Sequence, residues 1–463
     1  MSPRLKREAG IIHVVFYGLG TIFGAGIYAL IGTASGLTGN SLWLSFILAA
    51  FIASLTALSY AELSSMMPKS AAEYVYTKRA FSSRSFSFSL SWFIIFATSI
   101  AAATVALGFG GYFNSIFGTP IILNAVVLLV LLSGLNILGI DQSMKANMVF
   151  TSITIFGLLI IIYAGIGSFG SVNYFDMSQG ISGVLSAAAF IFFAFLGFED
   201  IVNIAEETKN PRKIIPKALI LCLIIATIIY VLVALSVVSL MPWQELSKSN
   251  APLSDSISNV MPGAPFFMSI IALFATASTV LIFTIASSRM VYGLTKDHSL
   301  PKIFSYVDPK TKTPVSAILI ITFVAILFVI MGDIKFVASI TDFGAFLTFF
   351  FVNASLIVLR IKEPNMIRIF KVPFNIKNIP LPTVIGTIFC FVMLFHFNFN
   401  VVLLSLGVMF TGFAFYKFLD EINDIVMGAV NTIKKIRKNG KKKQKPSKLD
   451  MKIYREIKRE QQK

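Results

Sequence analysis

The sequence predicts an all-α polytopic membrane protein of about twelve transmembrane helices, two of them broken. Three observations carry this expectation. Of 463 residues 56% are hydrophobic and only 13% charged, with a mean hydropathy of +0.81; soluble domains carry about 25% charged residues. Apolar stretches of about 20 residues, enough to cross a hydrocarbon core, recur near 11–31, 41–66, 87–113, 120–138, 146–167, 181–204, 216–240, 266–294, 315–331, 336–359, 381–397 and 400–418. Glycines interrupt the first at Gly20, Gly24 and Gly26, and Gly197 interrupts the sixth.

The first stretch, Gly20-Thr21-Ile22-Phe23-Gly24-Ala25-Gly26-Ile27-Tyr28, places three glycines in seven positions. Each costs about 1 kcal/mol against alanine in a helix. In lipid a freed backbone group finds no water, so the interruption is expected where unwound backbone lines a cavity enclosed by protein. The amides of Gly24, Ala25 and Gly26, at the N-terminal end of a resumed half-helix, suit a carboxylate. Close helix packing through small residues is the competing reading.

The sixth stretch holds Phe193-Ala194-Phe195-Leu196-Gly197-Phe198-Glu199-Asp200. Gly197 permits unwinding, and Phe195 or Phe198 is placed to shield a bound side chain, unless these rings face lipid. Adjacent carboxylates are costly in a membrane, which makes Glu199 and Asp200 candidates for coupling or gating; a position already at the interface is the alternative. Two broken spans five apart point to an inverted-repeat carrier with a site near the midplane.

Lysine and arginine set the expected orientation. With both termini cytoplasmic, the loops on that side collect Lys69, Lys78, Arg79, Arg84, Lys145, Lys209, Arg212, Lys213, Arg289, Lys296, Arg360, Lys362 and Arg368, among others. The outward loops hold only Lys248 and Lys335 of 39 basic residues, as the positive-inside rule requires. The net charge of +17, much of it after Lys434, is expected to rest on anionic headgroups rather than on nucleic acid. A regulatory or partner-binding tail is the other reading. Cys222 and Cys390 fall inside spans and imply no disulfide or zinc site, and His13, His298 and His396 are too scattered for a metal cluster. Arg4-Leu5-Lys6-Arg7 runs into the first stretch without a small-residue cleavage pattern, so no cleaved signal is expected.

Several motifs in order resemble the amino acid/polyamine/organocation permease superfamily, closest to its cationic-amino-acid-transporter-like branch, from about residue 8 to 419. Besides the two breaks they are Ser59-Tyr60-Ala61-Glu62-Leu63 with Pro68-Lys69 and Glu73-Tyr74-Val75-Tyr76, then Glu206-Glu207-Thr208-Lys209-Asn210-Pro211-Arg212 with Pro216. Ser288-Arg289-Met290-Val291-Tyr292 with Asp297 and Leu300-Pro301 follow, and then Arg360-Ile361-Lys362-Glu363-Pro364 with Phe370-Lys371-Val372-Pro373. The resemblance implies a five-plus-five inverted repeat of the leucine-transporter-like fold with broken helices 1 and 6, plus two C-terminal helices. The chain would divide into a cytoplasmic N-terminus (1–10), a first repeat (11–167), a second repeat (181–360), helices 11 and 12 (381–419) and a basic cytoplasmic tail (420–463). By the same resemblance the carbonyls of Ile22, Phe193 and Leu196 would hold an ammonium group.

For coupling, proton-coupled members of this branch place a lysine in the fifth span. Registering Gly139-Ile140 and Asn147-Met148-Val149-Phe150-Thr151 on that pattern puts Thr154 at the lysine position, and no lysine or arginine lies between Lys145 and Lys209. Ala275, Ser278 and Thr279 sit at i, i+3 and i+4, on one helix face. They match the sodium ligands of sodium-coupled relatives, with the Gly20 and Phe23 carbonyls opposite. These five residues form a candidate sodium site, against the plainer reading that small hydroxyl residues pack two helices. Na⁺ or H⁺ is thus expected as the coupling ion, with Glu199 the titrating candidate. Asp342, near the outer end of the tenth span, is expected as a hydrated residue at the mouth or as a partner for a cationic side chain.

The resemblance implies a secondary-active amino acid transporter, a permease working by alternating access and ion-gradient symport, and not an enzyme. No G-x-x-x-x-G-K-[ST] loop is present to use ATP, and no His/Asp or Ser/His constellation is legible. An exchanger of amino acids or of polyamines and other organocations is the alternative within transport. A transporter-like nutrient receptor is the alternative outside it. Expected partners are a small-molecule amino acid and the lipid bilayer, with no cofactor beyond the coupling ion, in the plasma membrane; nothing sets an oligomeric state. The apolar walls Phe193, Phe195, Leu196 and Phe198, with no buried acid legible beside them, favour neutral side chains.

Overall fold

A computed structural model describes residues 5–249, 251–258, 260–331 and 334–438. The expected basic run Lys441-Lys442-Lys443 and the first four residues lie outside the described residues. The first span is indeed split, into α1 (Ile11–Ile22) and α2 (Ala25–Thr38), and α3 (Leu42–Met66) returns. The short α4 (Ala72–Phe81) follows, flanked by two left-handed residues, Ala71 (φ 52°) and Ser82 (φ 55°). At ten residues it is about 15 Å long and does not cross. Next come α5 (Arg84–Phe117), whose start is capped by the Ser83 side chain accepting from the Phe86 amide, α6 (Ile121–Leu138) and α7 (Ile140–Ile166).

The sixth span is also split. Helix α8 (Gly180–Ile191) tightens into a 3₁₀ turn, Phe192–Phe195, unwinds at Leu196 and Gly197, and resumes as a 3₁₀ segment, Phe198–Glu207. Pro211 opens α9 (Pro211–Leu240), as proline at a helix start should. Two short helices, α10 (Trp243–Leu246) and α11 (Pro252–Ser258), lead to α12 (Ala264–Lys296), α13 (Val315–Met331) and α14 (Ile334–Lys362). A hairpin of β1 (Asn375–Ile376) and β2 (Ile379–Pro380) precedes α15 (Leu381–Leu394) and α16 (Phe399–Lys438). Helix α16 runs well past residue 418, where the last apolar stretch was expected to end.

Among the described residues ten stretches are long and apolar enough to cross a membrane, and two shorter apolar helices, α13 and α15, stand in the ninth and eleventh places. The protein is an all-α polytopic membrane protein. Its outer faces carry large exposed hydrophobic side chains such as Leu131, Phe156, Tyr163 and Phe410, which suit lipid rather than water.

The end of the bundle that bears most of the basic residues is held together by buried charge. The Glu207 carboxylate accepts from Arg289 Nε and Nη2, both at 3.0 Å, and Arg289 Nη1 donates to Asn136 Oδ1 at 2.8 Å. Glu62 accepts from Arg360 Nε and Nη2, each at 2.6 Å, and from the Val372 amide at 2.8 Å; Arg368 lies 3.0 Å away. All four of Glu207, Arg289, Glu62 and Arg360 have side chains closed to solvent. The chain start adds a strap: the Glu8 and Ala9 amides donate to the Glu207 carbonyl, and the Lys209 amide donates to the Ala9 carbonyl. Thus the family-like motifs on α3, the sixth span, α12 and α14 are ion pairs joining separate spans.

Removing one member strands a buried charge, which costs about 3–5 kcal/mol, whereas replacing both by apolar residues is often neutral. Glu207→Ala is therefore expected to lower the Tm in detergent by several degrees, and Glu207→Leu with Arg289→Met to recover most of it. An unchanged Tm in Glu207→Ala contradicts the account of Glu207 as the neutralising partner of a buried Arg289.

Candidate functional site

The two breaks meet, and one hydroxyl joins them. Tyr230 Oη on α9 lies 2.5 Å from the Ile22 carbonyl oxygen, at the end of α1, and 3.1 Å from the Ala194 carbonyl oxygen in the sixth span. One O–H proton is shared between the two acceptors. The Tyr230 ring is fixed edge-on against Phe23 and Phe195, with centroids 5.5 and 5.2 Å apart, and lies tilted against Phe46 at 5.4 Å. A helix end in lipid must satisfy its carbonyls within the protein, and the tyrosine does this for both breaks.

Glycine is needed at these positions for approach. A Cβ at Gly26 would stand 3.0 Å from Ala194 Cα, and one at Gly20 would stand 2.5 Å from Ser278 Oγ. One at Gly24 would run into Thr279 Oγ1 and lie 3.0 Å from the Thr21 carbonyl. Gly197 has φ +103°, a left-handed conformation that favours glycine, and a side chain there would enter Thr21. Close packing and unwinding, the two competing readings of the glycine triplet, therefore occur together. The Gly24 amide is turned back to the Thr21 carbonyl at 3.2 Å. The Ala25 and Gly26 amides lie in the first turn of α2, where no intrahelical acceptor exists, and Gly24 supplies no side-chain cap.

Beside this junction lies a cavity of about 360 Å³. Along α5 its wall runs from Ile94 to Gly108, about 20 Å of helix axis at 1.5 Å per residue. Thr21, Ile22, Gly26 and Leu30 line it from the first span, and Phe193, Ala194, Leu196 and Gly197 from the sixth. Thr341, Gly344, Thr348 and Phe349 of α14 and Thr279 and Phe283 of α12 complete it. Three carboxylates, Glu73, Glu199 and Asp200, reach the same cavity with Asn203. Glu199 Oε2 accepts from the Gly197 amide at 2.8 Å, which holds the carboxylate at the break. Glu73 is 2% exposed, and burial pushes its carboxyl up to about 7.

Of the expected site residues, Ile22, Gly26, Phe193, Leu196 and Glu199 line the cavity, and Gly24 and Ala25 form the turn beside it. The Ile22 carbonyl, expected to hold an ammonium group, already accepts from Tyr230. Phe195 turns to Tyr230, and Phe198 stacks on Phe349 at 5.5 Å and meets Tyr60 edge-on at 6.1 Å; both are fully buried rather than cavity walls. The premise that no buried acid accompanies the apolar walls fails, because Glu73 approaches from α4, far away in sequence. Asp342 departs from its expected place in water: its Oδ1 is enclosed and has no partner among the described residues. The neighbouring Ile340 and Phe343 are drawn into an apolar cluster with Phe93 and Ile100.

The candidate cation residues gather at the contact of α1 with α7 and α12. Thr279 Oγ1 donates toward the Gly20 carbonyl at 3.3 Å and the Ala275 carbonyl at 3.1 Å, while Ser278 Oγ donates to Asn147 Oδ1 at 2.8 Å. Asn147 Nδ2 donates to the Phe16 carbonyl at 3.0 Å. The donor set is oxygen only, which fits a hard monovalent cation, but in this arrangement both hydroxyls serve helix–helix hydrogen bonds. Phe23 is buried against Tyr230. Thr154 is also buried, its hydroxyl returned to the Phe150 carbonyl at 3.0 Å; the polar contacts of α7 with α1 and α12 are made by Asn147 and Thr151 instead. Tyr230 was not foreseen, although a lone tyrosine amid the aliphatic run of the seventh span is a signal for a buried hydroxyl with a partner.

The sequence profile of the amino acid permease family matches residues 10–417, and the chain belongs to that family. It is 29% identical to the branched-chain amino acid permease BcaP of Bacillus subtilis over 437 residues, covering 89% of this chain and 92% of the relative. It is 29% identical to the methylthioribose transporter of B. subtilis over 411 residues, covering 84% and 88%. A cationic amino acid transporter 3 (mitochondrial) of Arabidopsis thaliana is 28% identical over 389 residues, covering 78% of this chain and 63% of that one. The family and these relatives are transporters, not enzymes, so this chain is a transporter.

Tyr230→Phe keeps the ring and leaves two buried carbonyls without their donor, at a cost of about 1–3 kcal/mol. A lower Tm and reduced uptake at normal expression are expected. Gly26→Val, which forces α2 away from Ala194, is expected to abolish uptake. Wild-type Tm and uptake in Tyr230→Phe, or wild-type uptake in Gly26→Val, contradict a site built on the joined breaks.

Proposed function

We propose that this amino acid permease is a secondary-active carrier of α-amino acids, working by alternating access as an ion-coupled symporter. The observation that carries this reading is the meeting of two helix breaks at one cavity. Substrate carboxylate would sit on the free first-turn amides of Ala25 and Gly26, where the helix dipole also favours an anion. Its ammonium would face the Ala194 and Leu196 segment and the carboxylates below. The basic end, cytoplasmic by the positive-inside rule, would open inward by parting the Glu207–Arg289 and Glu62–Arg360 connections, while the paired breaks act as the pivots of a five-plus-five inverted repeat. The membrane would be the plasma membrane, with both termini inside.

The proton is the proposed coupling ion, carried by the cavity's carboxylates. A second reading is sodium held by Gly20, Phe23, Ala275, Ser278 and Thr279; their convergence at one helix contact favours it, although Thr279 and Ser278 would first have to turn from their present acceptors. For the side chain we favour neutral amino acids, because Leu30, Ile94, Val105, Phe193, Leu196 and Phe283 make most of the lining apolar. The three carboxylates support the competing reading of a cationic substrate.

Purified protein in liposomes tests these points together. L-leucine counterflow is expected, inhibited more by leucine or alanine than by equal arginine, and persisting when choline replaces sodium. Dominant inhibition by arginine would reverse the side-chain preference. Accumulation that collapses in choline and in Thr279→Ala would assign coupling to sodium. Absence of counterflow with all twenty amino acids would contradict amino acid transport.

A further inference from the structure

Glu73 belongs to α4, which does not cross the membrane, yet its carboxylate enters the cavity of the crossing helices. Oε1 accepts from Tyr60 Oη at 3.4 Å, and Oε2 is closed to solvent with no partner among the described residues. The neighbouring Ala72 amide donates to Asn203 Oδ1 at 3.2 Å, which ties the start of α4 to the resumed half of the sixth span. Glu199 and Asp200, on that same half-span, repel Glu73 electrostatically. None of the residues lining the cavity is Lys, Arg or His.

The other groups around Glu73 do not neutralise it. From α3 comes the Tyr60 hydroxyl, from α4 itself the Tyr76 hydroxyl, which has no partner among the described residues, and from the sixth span Glu199, Asp200 and Asn203. On α14, Arg360 is bound to Glu62 and Lys362 Nζ donates to the Ala80 carbonyl at 2.9 Å. On α5, Arg84 is exposed at the helix start. Three carboxylates lining one mostly apolar cavity disfavour one another's ionised form. Among the described residues no set of His, Cys, Asp and Glu is disposed to hold a metal ion. When no substrate ammonium is in the cavity, a proton lowers this charge and supplies a donor to an unpartnered oxygen.

We propose that Glu73 is a proton-binding residue of the transport cycle at the cytoplasmic floor of the cavity, with Glu199 as its neighbouring carboxylate. The inference rests on the proton-coupled reading above and deepens it by placing half of the proton site on α4. One carboxylate takes up H⁺ on loading and loses it on release, and no other bond changes. Glu199, held by the Gly197 amide at the break, senses the substrate; Glu73, on the helix beneath it, provides the exit toward the basic end. Burial that raises the Glu73 carboxyl to about 7 lets it exchange protons near neutral pH.

The test compares wild type, Glu73→Gln and Glu73→Asp in liposomes with labelled L-leucine and, in parallel, L-arginine. Glu73→Gln is expected to lose pH-gradient-driven accumulation at least tenfold while counterflow stays above the protein-free level. Glu73→Asp, which keeps a titratable group, is expected to retain driven accumulation with a displaced pH midpoint. Accumulation in Glu73→Gln equal to wild type overturns the proposal. If Glu73→Gln does not fold, a Glu73→Asp pH profile identical to wild type overturns it instead. Wild-type accumulation driven by sodium and indifferent to pH overturns it too, yet leaves amino acid transport standing; only absent wild-type counterflow touches that broader reading.

Discussion

The architecture depends on how backbone is satisfied where two helices stop inside a membrane. A carbonyl freed at such a point has no water to turn to. Here the Tyr230 hydroxyl reaches the Ile22 and Ala194 carbonyls together, so the ends of two distant breaks share one donor. That sharing fixes their separation, and the small residues follow from it: Gly26 must pass Ala194, and Gly24 must pass Thr279. The cavity, the first turn of backbone amides that opens α2 and the approach of Glu199 to the Gly197 amide are consequences of this junction.

The basic end obeys a different constraint. Its buried ion pairs join the third helix to the fourteenth and the sixth span to the twelfth helix, each with several hydrogen bonds to one carboxylate. Buried pairs contribute little net stability but make wrong arrangements expensive. The strap formed by Glu8 and Ala9 on the Glu207 carbonyl couples the start of the chain to the same point, next to the half-span that carries Glu199 and Asp200.

Much of this was legible in the sequence, for physical reasons. Long apolar runs and the lysine bias announce a polytopic membrane protein, and glycines inside apolar runs announce the breaks, because both patterns are local. The motifs around Glu62, Glu207, Arg289 and Arg360 were readable as family markers, but their pairing was not, since each partner lies on another span. Phe195 and Phe198 looked like cavity walls because an unwound segment has no helical period from which to read facing; they turn to Tyr230 and to Phe349 instead. Glu73 was hidden most thoroughly. It sits in a polar stretch between spans, where a glutamate reads as a solvated loop residue, and only the fold turns it into the cavity.

The central claim is that substrate occupies the cavity at the joined breaks. Phe193 is 36% exposed and lines that cavity, whereas the native Cys222 and Cys390 are buried. The most direct measurement is therefore the maleimide labelling rate of a Phe193→Cys variant, with and without saturating L-leucine or L-arginine, whichever drives wild-type counterflow. The account predicts that the transported amino acid slows labelling severalfold while a non-transported one does not. A labelling rate indifferent to the transported amino acid, in a variant that still binds it, would contradict the account.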